Sequence, residues 1–361
     1  MLNARKILLV HSPHSGRSSQ LDATIASLRT HSLELVEVLS IAELDGLPDQ
    51  GPQWKERGID IVVAAGGDGL IGGVTTHIVA SGLPLAILPL GTSNDIARSL
   101  NIPQEVSAAL ELLTNGQIIA VDVGIAQPAE QAPHAASSQP GIPTSSEVRK
   151  KHHGSFVHAL TTGINVQFAR IATNVATRQR YGRMTYPFAA IEILRNHATL
   201  EMDIQFTDLA IPSTTDPTQP PVLSKQSATL HCQALQATII NAPIFGGAWN
   251  FSVPQATLYD GLLDIIIIED IDINALNTTL SHFFSRSEQR PSAPQAWHER
   301  YPELHPAELT GIPGIHHVQA RGVTITTSVD PQDVTLDGEI RGQTPISVRM
   351  ASERLRVVVP G

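Results

Sequence analysis

Two glycine-rich segments carry an aspartate directly after an apolar run, and this pairing suits phosphate chemistry. The sequence G-G-D-G at 66–69 follows the run Ile61–Ala65, and G-T-S-N-D at 91–95 follows Leu85–Leu90. Glycine lets backbone N–H groups approach a phosphate without a Cβ in the way. The positive end of a following helix favours the same anion. We therefore predict that both loops form one anion-binding ledge that handles a nucleotide phosphate.

A third glycine-containing turn, S-P-H-S-G-R at 12–17, follows the first apolar run of the chain. Open α/β sheets bind ligands at the carboxyl ends of their strands, so this turn is predicted to complete the phosphate cradle. On its own it would be an ordinary loop. The residues predicted to bind nucleotide are Ser12, Ser15, Gly16, Arg17, Gly66, Gly67, Gly69, Gly91, Thr92, Ser93, Asn94 and Asp95.

Asp68 distinguishes the first loop from a dehydrogenase fingerprint. The stretch 67–72 fits G-x-G-x-x-G, but that pattern alone is weak, and it follows the third strand signal rather than the first. A carboxylate inside the loop would repel a pyrophosphate unless Mg²⁺ lay between them. It is better suited to holding a metal or polarising a hydroxyl nucleophile, although a purely structural glycine turn is the alternative.

Other acidic and hydroxyl residues have a structural and a functional interpretation. Asp337-Gly338-Glu339 lies between predicted strands, and Asp-Gly is a strong hairpin signal. Asp260 and Asp264 form a second acid-rich turn before a buried strand. In the loop at 91–95, Thr92 or Ser93 is predicted to cap the following helix.

The hydrophobic pattern divides the chain in two. Up to residue 123, strand and helix signals alternate, including a helix with Ile71, Val74 and Ile78 on one face, which predicts a parallel sheet covered by helices. Residues 126–153 are rich in Pro, Ser, Ala and Gln and are expected to be a disordered insertion. Beyond them strand signals dominate, which predicts a mainly antiparallel sandwich or barrel.

Composition limits the classes of function. The 361 residues carry a net charge of −10, which argues against general nucleic-acid binding. The single cysteine, Cys232, fits a reducing compartment, and no leader and no run of the ~20 apolar residues needed to span a membrane is visible. We expect a cytoplasmic protein with peripheral membrane contact, where the basic residues Arg170, Arg178, Arg180 and Arg183 either meet anionic lipid or form a solvated helix face.

The motifs together resemble the diacylglycerol kinase catalytic-domain lipid kinases, including bacterial members and the sphingosine and ceramide kinases. The likeness extends over nearly the whole chain in family order. Its later motifs are T-G-I-N near Gly163, Y-G-R-M-T-Y at 181–186, N-A-P-I-F-G-G at 241–247, D-G-L-L-D at 260–264 and L-D-G-E at 336–339. One departure is that Gly73 and its neighbours replace the Glu-and-Asn pattern usual in the helix after G-G-D-G.

This resemblance implies two domains with ATP in the cleft between them. An N-terminal Rossmann-like α/β domain spans 1–123, a β-sandwich-like lipid-binding domain spans 124–344, and residues from about 345 to 361 return to the first domain. Asp68 would be an active-site acid, and Glu339 with Asp337 would face the phosphates and the acceptor hydroxyl. Asp260 resembles an acid that holds a structural Mg²⁺ in some bacterial members.

The expected activity is therefore transfer of the γ-phosphate of ATP to a hydroxyl of diacylglycerol or a sphingoid-type lipid at a membrane surface. The sequence does not rank Asp68 against Glu339 as the proton acceptor. Two alternatives are an NAD kinase-like phosphotransferase with a soluble acceptor and an inactive nucleotide-binding regulator. Strand edges in the second domain would also allow a homodimer.

Overall fold

A computed structural model describes most of the elements that the sequence predicts. The described residues are 5–13, 21–30, 33–129, 154–164, 166, 199–211, 222–224, 227–245, 251–253, 256–269, 314–328 and 331–361. Residues 130–153 of the predicted insertion 126–153, the arginine cluster at 170–183 and residues 285–313 of the predicted polar stretch 285–314 lie outside them. Among the described helices, none is long and apolar enough to cross a membrane.

The first part of the chain alternates strands and helices. Its strands are β1 Arg5–His11, β2 Leu33–Ser40, β3 Ile61–Gly66, β4 Leu85–Pro89 and β5 Gln117–Val121. Its helices are α1 Leu21–Thr30, α2 Gly51–Glu56, α3 Asp68–Ile78, α4 Asp95–Ser99 and α5 Val106–Asn115, with short 3-10 helices at Ile41–Glu43 and Val79–Ser81. The predicted α/β architecture is confirmed.

Burial explains why this part forms a central sheet. Every residue of β3 is buried, as expected for a parallel strand covered on both faces. The predicted face of α3 is confirmed, since Ile71, Val74 and Ile78 are all completely buried in the core beneath it. Strand β3 pairs in parallel with β1 and with β4, so the loops that follow β3 and β4 emerge side by side.

The second part forms an antiparallel sheet. Its strands are β6 Gly124–Pro128, β7 Gly154–Phe156, β8 Ala159–Gly163, β9 Leu200–Ile211, β10 Val222–Leu223, β11 Ala228–Ile240, β12 Ile244–Phe245, β13 Phe251–Ser252, β14 Leu263–Glu269, β15 Ile315–Thr327, β16 Asp333–Leu336, β17 Glu339–Gln343 and β18 Ile346–Met350. All of them except β12 and β13, which pair with each other, belong to one sheet. Nine strands follow the order β17-β16-β8-β11-β14-β15-β18-β6-β7, while β9 pairs with β11 and β15, and β10 pairs with β9.

Long strands give this sheet its sandwich-like shape. Strand β9 pairs with the first half of β11 and the second half of β15, whereas β14 pairs with the opposite halves of both strands. The enclosed core is apolar and includes Phe156, Phe206, Met202, Ile239 and Ile325. The predicted β-sandwich-like second domain is confirmed.

A further strand, β19 Leu355–Val359, belongs to the first sheet. It inserts between β4 and β5 and gives the order β2-β1-β3-β4-β19-β5. It runs parallel to β4 but antiparallel to β5, so the sheet that the alternation predicted as parallel is antiparallel at this edge. Of the segment 345–361 that was expected to return, β18 lies in the second sheet and β19 in the first.

The first residues of the expected insertion 126–153 belong to a strand. Residues 126–128 complete β6, which pairs with β18, and Ala126 is buried. The local sequence does not reveal a strand there, because one of its partners, β18, comes more than two hundred positions later in the chain.

Candidate active site

The two glycine loops touch each other. Loop 66–69 follows β3 and loop 91–95 follows β4, and these strands are neighbours in the sheet. A Cβ added to Gly91 would lie 2.4 Å from the Cα of Gly67, closer than any side chain tolerates. Glycine at this contact therefore allows the two backbones to form one continuous surface at the carboxyl edge of the sheet.

Asn94 holds the second loop in shape. It is buried, with the left-handed backbone angles φ 53° and ψ 43°. Its Oδ1 accepts a hydrogen bond from the Gly91 N–H at 2.9 Å, and its Nδ2 donates to the Gly91 carbonyl at 3.1 Å and to Gln104 Oε1 at 3.2 Å. Asn94 was predicted to contact phosphate, but the contacts of its side chain here stabilise the loop.

The cap of α4 is supplied by Asp68, not by the loop itself. The prediction of Thr92 or Ser93 as the cap is wrong, because α4 begins at Asp95 and its N-cap position, Asn94, makes no side-chain cap bond. Instead, the Asp68 carboxylate accepts hydrogen bonds from the Asp95 N–H at 3.1 Å and the Ile96 N–H at 2.9 Å. Asp68 is thus the first residue of α3 and the cap of α4, and it joins the two loops.

The sequence Asp337-Gly338-Glu339 forms a hairpin between β16 and β17. Asp337 has φ 48° and Gly338 has φ 85°, the two left-handed positions that a type I′ turn requires. Leu336 pairs with Glu339 across the turn. The structural interpretation of this motif is therefore correct, and the position of the hairpin shows that it does not exclude the functional one.

Asp337 fixes this hairpin to the rest of the protein. Its carboxylate accepts backbone hydrogen bonds from Val157 at 3.1 Å, His158 at 2.9 Å and Ala159 at 3.1 Å. It also packs on α3, where a Cβ added to Gly72 would lie 2.2 Å from Oδ2. Burial outweighs these bonds and the nearby His158, and it raises the pKa of Asp337 to about 6. Its predicted contact with phosphates stays a prediction.

Glu339 reaches the first glycine loop. A Cβ added to Gly69 would lie 2.7 Å from Glu339 Oε1, so the carboxylate lies directly beside the residue after Asp68. The side chain is 53% exposed and pairs with Arg341. Residues from the two domains thus meet at the carboxyl edge of the first sheet, as the resemblance implied.

The structure gives less detail on the other residues that were predicted to bind nucleotide. Ser12 lies at the end of β1 and is half-buried, whereas Ser15, Gly16 and Arg17 lie outside the described residues. Thr92 is exposed and Asp95 is buried. Asp95 lies at the loop edge, where its Oδ2 is 4.0 Å from His158 Nε2.

Sequence reasoning missed His158 and Arg341. His158 is buried, and its Nε2 lies 2.9 Å from the Ile244 carbonyl oxygen while its backbone N–H binds Asp337. No local pattern marks it, because its partners come from distant segments. Arg341 could have been found, since alternate residues of a strand share one face and it lies two positions after Glu339.

The region of Asp260 carries oxygen ligands of the kind Mg²⁺ prefers. Desolvation of its carboxyl group, with the charges of Asp264 and Asp122, raises the pKa of Asp260 to about 6 although the residue as a whole is exposed. Asp264 is buried; its Oδ1 accepts from His317 and Gln319, and its Oδ2 has no hydrogen-bond partner among the described residues.

The negative charge of these carboxyl groups suits a bound cation. The described segments nevertheless contain no group of three or more His, Cys, Asp or Glu side chains arranged to hold a metal ion. The structural Mg²⁺ at Asp260 therefore stays a prediction.

Comparison with known proteins supports both domains. Residues 6–126 match the family described as diacylglycerol kinase catalytic domain, and residues 158–288 match the YegS C-terminal NAD kinase beta sandwich-like domain. A diacylglycerol kinase of Staphylococcus saprophyticus is 21% identical over 307 residues, which cover 84% of this chain and 78% of that protein.

Two further relatives cover most of the chain. An uncharacterized protein of Synechocystis is 23% identical over 310 residues, 85% of this chain, and the match spans only 57% of that longer protein. A crystal structure of a diacylglycerol kinase from Bacillus anthracis str. Sterne superposes with a TM-score of 0.58 at 18% identity, covering 99% of this chain and 98% of the other, which shows a shared fold.

Proposed function

This chain belongs to the diacylglycerol kinase catalytic-domain family, and from that premise we propose that it is an ATP-dependent lipid kinase. It transfers the γ-phosphate of ATP to a hydroxyl group of diacylglycerol or a sphingoid-type lipid. The observation that carries the proposal is the contact between the Glu339 carboxylate and Gly69. It brings an acid of the second domain to the loop of the first domain that is predicted to bind phosphate.

The first domain would bind the nucleotide. Backbone N–H groups of the two touching glycine loops, together with the turn after β1, would cradle the phosphates. Mg²⁺ bound with ATP would neutralise charge on the phosphates. Phosphoryl transfer needs mainly positioning and charge stabilisation from the protein, and rigid loops held by Asn94 and Asp68 provide a fixed frame for both.

We assign the proton acceptor to Glu339. Both oxygens of Asp68 already accept backbone hydrogen bonds from α4, whereas Glu339 is more than half exposed and pairs only with Arg341 among the described residues. In the proposed reaction the lipid hydroxyl oxygen forms a bond to the γ-phosphorus, the bond from that phosphorus to the β–γ bridging oxygen breaks, and the hydroxyl proton moves to Glu339. Asp68 holds the two loops together beside the transferred group.

An acceptor panel tests this function against its alternatives. Purified protein with γ-labelled ATP and Mg²⁺ is offered diacylglycerol, sphingosine, ceramide and phosphatidylglycerol in mixed micelles, and NAD in parallel. The description of the second-domain match includes the words NAD kinase, so the NAD arm is a necessary comparison. Label in a lipid extract supports the proposal, and label only in NAD would overturn it. ATP binding without transfer to any acceptor would favour the inactive regulator.

A lipid acceptor also implies where the enzyme works. The hydroxyl to be phosphorylated lies at a membrane surface, so we propose that the protein contacts that surface peripherally from the cytoplasmic side. Co-sedimentation with vesicles that contain the lipid acceptor, compared with vesicles that lack it, measures this contact.

A further inference from the structure

Arg341 lies on the same strand face as Glu339. Both residues belong to β17 and are separated by one residue, so their side chains project to the same side of the strand. The Nη2 group of Arg341 donates to Oε2 of Glu339. The arginine side chain is 32% exposed, compared with 53% for the glutamate, so the cation is the more enclosed partner of the pair.

A glycine-lined face of α3 receives both side chains. Gly69 and Gly73 are one helical turn apart and therefore share that face. A Cβ at Gly69 would lie 2.7 Å from Glu339 Oε1, and a Cβ at Gly73 would lie 3.5 Å from Arg341 Nη2. Glycine at 69 lets the Glu339 carboxylate lie against the helix that begins at Asp68. A Cβ at Gly73 would be in van der Waals contact with Arg341 and closer, at 3.0 Å, to Ile41 Cδ1.

A second observation places the guanidinium charge close to α3. Burial is the largest cause that lowers the pKa of His77, near the end of this helix, and the charge of Arg341 acts in the same direction. Arg341 makes no other hydrogen bond among the described residues.

We infer that Arg341 is a positioning residue that holds the Glu339 carboxylate over Gly69 in the orientation needed to accept the lipid proton. An exposed glutamate has several rotamers of similar energy, and only some of them direct the carboxylate to the first loop. An ion pair between partly exposed groups adds little to folding stability. A misplacement of about 1 Å at a reacting group can nevertheless cost ~10²-fold in rate.

This role rests on the function proposed above and makes a specific kinetic prediction. Arg341→Met should lower kcat for lipid phosphorylation about tenfold, while KM for ATP changes by less than about twofold, because the variant misplaces Glu339 without removing a phosphate contact. Arg341→Lys, which keeps a cation within reach of Glu339, should recover most of the loss. A matched control is Arg57→Met, since Arg57 forms an exposed ion pair with Glu37 at 2.8 Å and contacts no residue of the proposed site. The control should keep its kcat.

A double-mutant cycle then tests whether Arg341 acts through Glu339. In a Glu339→Gln background, Arg341→Met should change kcat by less than about twofold, because the group that Arg341 positions is already gone. The same tenfold loss in both backgrounds, or a rise in KM for ATP with kcat unchanged, would overturn the role. If the wild type transfers phosphate and the Arg341→Met variant keeps a normal kcat, only the positioning role is contradicted. A wild type that transfers phosphate to no acceptor contradicts the proposed function as well.

Discussion

Two regions meet where Glu339 lies beside Gly69, and they are built in opposite ways: the loops 66–69 and 91–95 form the first wall of this contact, and the hairpin 336–339 forms the second. In the first domain, the side chains of Asp68 and Asn94 accept hydrogen bonds from backbone N–H groups and so fix the backbone of the two loops. In the second domain, the hairpin backbone is fixed by Asp337, and the next acid, Glu339, is left exposed at the contact. On the first wall, side chains therefore hold the backbone in place. On the second wall, a backbone turn holds an exposed side chain in place.

This difference separates the roles of three nearby acids, Asp68, Asp337 and Glu339. An acid whose oxygens are filled by N–H groups serves structure first, and Asp68 and Asp337 are of this kind. An acid with an exposed carboxylate is available to a substrate, and among the three only Glu339 fits that description. The comparison predicts that stability and activity respond differently to changes on the two walls.

The largest effect is expected at Glu339. Glu339→Gln should reduce lipid phosphorylation by about 10³-fold, within the range for loss of a general base. Its free energy of unfolding should stay within about 0.5 kcal/mol of the wild type, because the side chain is exposed. Initial rates and urea denaturation measure the two quantities. Glu111→Gln, an exposed glutamate on α5, is the matched control. A variant of near-normal rate would remove Glu339 from the proton transfer.

The next effect concerns Asp337 and pH. Its pKa of about 6 in the folded protein lies above the ordinary 3.8, so the folded state binds this proton more tightly than the unfolded state. The contribution of Asp337 to stability is therefore fullest below about pH 4 and is lost as pH rises through about 6. Relative to Asp337→Asn, the wild type should lose about 2 kcal/mol between about pH 4 and pH 7. Urea denaturation of both proteins across this range measures the effect. If the carboxyl group were not buried, the difference between their free energies of unfolding would not change with pH.

Asp68→Asn should affect both stability and activity, unlike the change at Glu339. The amide has one acceptor oxygen, so one of the two bonds to α4 is lost, at a cost of about 1 kcal/mol typical of a lost cap. Because the two loops then shift, transfer should fall by about 10²-fold. Thermal denaturation and initial rates check the pair of effects. A loss of activity without loss of stability would mean that Asp68 acts on the substrate and that the contrast between the walls is weaker than described.

The smallest effect tests the contact between the walls. Replacing a helix glycine with alanine ordinarily stabilises a helix by about 0.5–1 kcal/mol. At Gly72 the new Cβ would lie 2.2 Å from Asp337 Oδ2, so Gly72→Ala should instead destabilise by about 1–2 kcal/mol. At Gly322 the nearest atom would be 3.4 Å away, and Gly322→Ala serves as the control. A more stable Gly72→Ala protein would place the hairpin farther from α3.

The sequence alone predicts what is local. Each glycine loop, the buried face of α3 and the Asp-Gly turn depend on residues within a few positions of one another, so period and turn chemistry predict them. Contacts between distant segments could not be predicted in this way, as the cap that Asp68 provides for α4 and the bonds from 157–159 to Asp337 illustrate. The meeting of Glu339 with Gly69 was expected only through the family resemblance.

Glycines 72 and 73 show how a departure from a family pattern acquires a physical meaning. Alone, two glycines inside a helix look like a weakness, because glycine is a poor helix former. In the folded protein a Cβ at Gly72 would lie 2.2 Å from Asp337 Oδ2, and a Cβ at Gly73 would lie 3.0 Å from Ile41 Cδ1. The glycine at 72 is therefore explained by the packing of a hairpin from the other domain, which the sequence pattern alone does not show.

The position of β19 in the first sheet constrains how this protein folds during its synthesis. The core of the first sheet needs Val357 and Val358, which lie between β4 and β5 and are synthesised only after every strand of the second domain. Until then β4 has an unpaired edge of buried residues. Expression of residues 1–123 alone should therefore give an aggregation-prone fragment, and biogenesis of the whole chain must protect that edge until translation has passed residue 359.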